Sequence, residues 1–168
     1  MKKFGKECLT ALPKQGNAMI AFGMGKIVKS SCKTPDDRET LYKRLKCIRK
    51  IHDLVNVRVI QVANTFLRML EINTNDRLAG ICCIFFDFKD ELITAAAAKC
   101  PKQDVDYFNM FLDGFSGDIL DLLCSSFPAG SEKCQRAIQK IPKRNVSENE
   151  TSEFTSMIPP LLLVLDSL

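Results

Sequence analysis

The residues of this chain whose types can do chemistry are eight cysteines, one histidine, a set of aspartates and a run of cations. The cysteines are Cys8, Cys32, Cys47, Cys82, Cys83, Cys100, Cys124 and Cys134. Tetrahedral zinc needs ligands that converge on one point, usually as CxxC pairs or Cys/His clusters. The chain has no CxxC and a single His, so no metal site is expected. An even, high cysteine count without that spacing points to four disulfides made in an oxidising compartment, with their pairing left open. His52 precedes Asp53, but sequence neighbours on a turn rarely align as base and orienter, so a solvated or capping role is expected. Asp104, Asp106, Asp113, Asp118 and Asp121 lack the alternation, central Gly and terminal Glu of a calcium loop, and read as a solvated face. No catalytic residue and no cofactor is assigned, and the chain reads as a non-enzyme.

Lys43, Arg44, Lys46, Arg49 and Lys50 form a candidate anion-binding cluster, extended by Arg58. It suits an anionic glycan or lipid surface. Only Tyr42 interleaves an aromatic ring and no groove-reading motif is present, so nucleic acid is not an expected partner. The alternative is an ordinary solvated helix face. The wider charge pattern is polar. Residues 1–60 carry 14 Lys/Arg against 5 Asp/Glu, a net of +9, and residues 61–168 carry 10 against 15, a net of −5. The two parts either attract each other within the fold or present opposite charges to other molecules.

Two Asn-x-Ser/Thr sequons, at Asn145 and Asn149, lie in one polar stretch and reinforce the secretory reading. Met1-Lys2-Lys3 resembles the start of a leader, but no long apolar stretch follows it, so the expectation is a processed chain. No stretch reaches the roughly 18 apolar residues of a membrane span.

These features must be held by helices, because strand-like alternation is absent. Residues 4–30 read as one or two short helices interrupted by Pro13 and Gly16. Thr34-Pro35-Asp36-Asp37 is a strong helix start, and Leu41, Leu45, Ile48 and Ile51 then share a face. Asp53 is expected to cap a third helix, about 54–72. A fourth, about 76–99, runs from Leu78 to Phe86 without a charge, which places it at the centre of a bundle. A fifth, 104–125, turns Val105, Phe108, Leu112, Phe115, Ile119 and Leu122 inward, with Gly114 and Gly117 as possible kinks. Ser131 caps a short sixth helix, and Pro159-Pro160 begins an apolar end that can dock on the core.

Cys82 and Cys83 lie on the central helix. Adjacent helical residues point about 100° apart, so each sulfur should reach a different flanking element. The stretch Cys82-Cys83, Cys100-Pro101, Leu123-Cys124 and Ser131…Cys134 resembles secreted arthropod cysteine-rich helical proteins of unassigned function. The likeness covers roughly residues 75–136 and implies secretion and a helical disulfide fold, but no activity. The resemblance departs where relatives carry a further Cys, since Asp90 and Glu91 occupy that region here.

The expected architecture is an all-α disulfide-stapled bundle of five to seven helices over residues 1–140. Residues 141–168 are expected to form a glycosylated polar linker and an apolar C-terminal segment. The expected function is that of a secreted extracellular protein acting by self-association or by binding another extracellular protein, as a matrix, silk, egg-coat or body-fluid component. The alternative is a carrier of small apolar ligands, which would enclose an apolar cavity of some hundreds of Å³. A third class is a secreted venom or defence effector.

Overall fold

The computed structural model describes residues 10–143 and 154–168, without the side chains at 115, 117–119 and 121. Seven α-helices make up the described chain, and no strand occurs among these residues. They are α1 (Ala11–Cys32), α2 (Pro35–Ile48), α3 (His52–Met69), α4 (Thr74–Ala97), α5 (Lys102–Cys124), α6 (Glu132–Lys140) and α7 (Ile158–Asp166). A 3-10 turn, Arg49–Ile51, joins α2 to α3.

Local signals set most of the boundaries. Thr34 and Asp37 form a reciprocal capping box at α2: the Thr34 hydroxyl accepts from the Asp37 amide, and the Asp37 carboxylate accepts from the Thr34 amide. Those bonds from Thr34 hold the Asp37 carboxyl below its usual range. Asn73 caps α4, and Ser131 caps α6 by accepting from the Cys134 amide. Gly130 turns the chain into α6 at φ +69°, where a side chain would be strained. Asp53 lies in the first turn of α3 rather than at its cap, which is Ile51. Nor does α1 break at Pro13. That residue sits in the helix's first turn, where its missing amide hydrogen has no intrahelical partner to lose.

α4, with its uncharged run Leu78–Phe86, is the centre, with α3, α5 and α6 packed around it. The main core joins Phe66 and Met69 of α3, Phe85 and Leu92 of α4, and Val105 and Phe108 of α5. A second buried cluster surrounds Cys82 and Cys83. The outer helix α1 runs against α5, where Ile27 packs on Gly114; a Cβ there would come within 3.0 Å of Ile27 Cγ1. The glycine's role in α5 is therefore close approach. Leu122, expected inward, is 67% exposed. The expected inward positions of Phe115 and Ile119 lie outside the described side chains.

The C-terminal segment belongs to the same core. Leu162, Val164 and Leu165 of α7 are buried against α3 and α1, and Ile141, placed in the linker by the sequence reading, is buried too. Arg77 fixes this end by donating to the carbonyls of Leu70, Ile72 and Ser167. Thr10 bonds Asp166.

Deleting apolar volume at a sealed site costs both transfer free energy and a cavity. Leu165→Ala should lower unfolding free energy by about 2–5 kcal/mol. Leu163→Ala, 46% exposed two residues away on the opposite side of the helix, should stay within about 0.5 kcal/mol. Urea unfolding of both variants checks this; equal losses would show that α7 is not docked as described.

Candidate binding surface

Three bridges staple the bundle. Cys82 bonds Cys124 at the end of α5, Cys83 bonds Cys134 on α6, and Cys47 of α2 bonds Cys100 before α5. Adjacent side chains on α4 thus reach two different elements, as their divergence requires. These four sulfurs are sealed among Leu78, Phe86, Leu123 and Ile138. A bridge in that setting is structural, since exchange requires access for an attacking thiolate.

Cys32 has no disulfide partner among the described residues, and Cys8 lies outside them. Chain geometry limits a fourth bridge. From Thr10 to Cys32 α1 spans about 33 Å, and the two residues from Cys8 to Thr10 reach at most about 7 Å. A disulfide needs Cα atoms within about 7 Å. Four bridges in one chain therefore require α1 to break.

The cation run divides on folding. Lys43 pairs with Glu39 at 2.6 Å, one turn away on α2. Arg44 reaches Asp104 at 3.2 Å. Asp104, expected on a solvated face, is buried where α2 meets α5. Arg58 bonds Glu91 and Gln61 on the other side of the cluster. Two of these pairs, Arg44–Asp104 and Arg58–Glu91, join the basic first part of the chain to the acidic remainder. Part of the charge polarity is thus consumed inside the fold.

Lys46, Arg49 and Lys50 stay exposed and without a carboxylate partner among the described residues. Helical spacing puts all three on the end of α2 and its 3-10 turn, with Tyr42 one turn before Lys46 and 62% exposed. The Cys47–Cys100 bridge brings a fourth cation to them. Lys99 extends across the junction, and its ammonium donates to the Lys50 carbonyl at 3.4 Å. The sequence reading missed Lys99, which lies 49 residues from Lys50. The signal was the cysteine beside each, but the pairing was open. The nearest acid in sequence, Asp53, is fully exposed and faces the His52 ring at 3.3 Å. That ring also contacts Asn56, and is open to water on the first turn of α3.

Asp87 of α4 is raised above its usual range by burial and then by neighbouring Asp90. No group of three or more His, Cys, Asp or Glu side chains among the described residues is placed to hold a metal. An apolar cavity lies where α7 meets the bundle, lined by Ile20, Phe66, Phe85, Leu123, Leu161 and Leu165. Its volume is about 40 Å³. That exceeds the roughly 10–15 Å³ of a water site but not the several hundred Å³ of a small-molecule pocket. An acyl chain does not fit unless α7 moves. No helix among the described residues is long and apolar enough to cross a membrane.

No family model, curated protein or solved structure matches this chain.

Peptide mapping of unreduced protein should recover the three bridges described. Thiol labelling of the denatured monomer should find two thiols per chain, or one reducible intermolecular link in their place. A monomer without free thiols would contradict a continuous α1.

Proposed function

We propose that this protein is a non-enzymatic extracellular module that acts through its surface, by binding a partner or a second copy of itself. The observation that carries this reading is the covalent frame. Three bridges close loops of 53, 42 and 51 residues across one bundle. In the chain-entropy account each such bridge contributes about 2–5 kcal/mol. Bridges of this kind persist in oxidising compartments and are rare where glutathione keeps thiols reduced. They make a scaffold that lasts in dilute surroundings and holds its surface groups at fixed separations.

Other observations lean the same way. The sequons at Asn145 and Asn149 and the spacing likeness to secreted arthropod cysteine-rich proteins favour the secretory route. The single histidine is solvated at a helix start. Exposed apolar side chains, including Phe22 and Val28 of α1 and Met110 and Leu122 of α5, offer contact area to a partner.

Native mass spectrometry of protein from its own source tests the reading in one experiment. The expected species carries the three disulfides described, glycan mass, and a second protein or second copy that dissociates as salt rises. Fully reduced cysteines without glycan would overturn the extracellular assignment. A monomer holding one small apolar molecule would replace this reading with that of a carrier.

A further inference from the structure

We propose that Lys46, Arg49, Lys50 and Lys99 form one binding site for a sulfated polysaccharide, with Tyr42 at its edge; the proposal rests on the extracellular reading above. Two chain segments build the site. The end of α2 and the following 3-10 turn supply three cations, and the turn after α4 supplies the fourth. Cys47–Cys100 joins the two segments beside these residues, and Lys99 lies against the Lys50 backbone. The backbone positions that carry the four cations are therefore set before any ligand arrives, which lowers the ordering cost of binding.

Helix electrostatics explains only part of the cluster. The C-terminal ends of α2 and α4 both lie here, and each carries about half a negative charge. Together they offset about one of the four unit charges. A net excess of about three remains with no carboxylate partner among the described residues. Seven other cations, Lys43, Arg44, Arg58, Lys89, Lys102, Arg136 and Lys140, pair with carboxylates. Lys14, Lys26, Lys29 and Lys33, also unpaired among the described residues, are spread along α1 and the residue after it rather than joined by a bridge. Like charges held together unneutralised are a cost that an anionic partner removes.

The chemistry around the cations selects the kind of anion. A membrane surface rewards large apolar side chains among the basic ones. Here the neighbouring large side chain on α2 is Tyr42, whose ring and hydroxyl suit a sugar face and its hydroxyl groups. Exposed Phe22, Met24 and Val28 lie on α1, a different helix from the one that carries most of the cluster. Sulfate esters spaced along a polymer give several fixed anions to several fixed cations, and the released counterions make affinity fall with salt.

The experiment uses the whole, oxidised protein on immobilised heparin as the probe. Lys46, Arg49, Lys50 and Lys99 are replaced together by Gln. A control replaces the exposed α1 and post-α1 residues Lys14, Lys26, Lys29 and Lys33 by Gln, which removes the same charge. Wild type should bind in 0.1 M salt and elute as salt rises. The site variant should lose about 10-fold or more in affinity and about three counterions from its salt slope, while the control changes less than about 3-fold. Circular dichroism should be unchanged, since all eight positions are exposed. Equal losses in both variants would mean that net charge alone binds heparin, and a larger loss in the control would move the site to α1; either result overturns the proposal. So would absence of heparin binding, with or without binding to phosphatidylserine vesicles. Such a failure leaves the broader reading standing, because that reading falls on reduced cysteines or a bound apolar molecule instead.

Discussion

The divergence of two neighbouring side chains on one buried helix is the constraint on which the rest of this structure depends. Cys82 and Cys83 leave α4 about 100° apart, so their bridges must go to different elements. One fixes the far end of α5 and the other fixes α6, both inside an apolar cluster that keeps the sulfurs from solvent. With α4 and α5 held together, Cys100 sits at their junction and can hold α2 through Cys47. α3, without a bridge of its own, lies inside the Cys47–Cys100 loop, while the two outer helices follow a different rule. In the described structure α1 and α7 are attached by burial and a few hydrogen bonds, with no bridge of their own. The molecule thus has a covalently closed centre and a non-covalent periphery, and its cavity lies on the seam between them.

This division also organises the charges. Where the closed centre brings α2 against α5, a buried carboxylate, Asp104, meets Arg44. Where α3 meets α4, Glu91 meets Arg58. Part of the polarity visible along the chain is therefore taken up inside the fold. Among the cations left at the surface without a carboxylate partner, one set is collected by the Cys47–Cys100 bridge. A scaffold of this kind does not need a moving part to act, because the spacing of its surface groups is its specificity.

Much of the fold was legible because the signals were local or periodic. The capping residues Thr34, Asn73 and Ser131 act within three residues of themselves. The uncharged run of α4 left it no position but the centre. The divergence of Cys82 and Cys83 followed from helix geometry alone. What stayed hidden depended on distance. Asp104 looked solvated because its partner Arg44 lies 60 residues away. The same pairing removed Arg44 from the anion-binding cluster, and Lys99 joined it only through a disulfide whose partner no spacing rule could identify. Leu122 fits the inward stripe of its helix by period, yet faces out, because stripe width is set by how many neighbours a helix has. The break expected near Pro13 failed for a positional reason: proline disturbs a helix interior and not its first turn.

The central claim is that a stapled centre carries a periphery held without covalent links, by burial and a few hydrogen bonds, and amide hydrogen exchange of the oxidised protein under native conditions tests it most directly. The account predicts that amides around Cys82, Cys83 and Leu92 of α4 exchange only through global unfolding. Amides of α7 should open at a free energy lower by at least about 2 kcal/mol, without releasing α4. Exchange of α7 and α4 at one common rate, or faster opening of α4 than of α7, would contradict it.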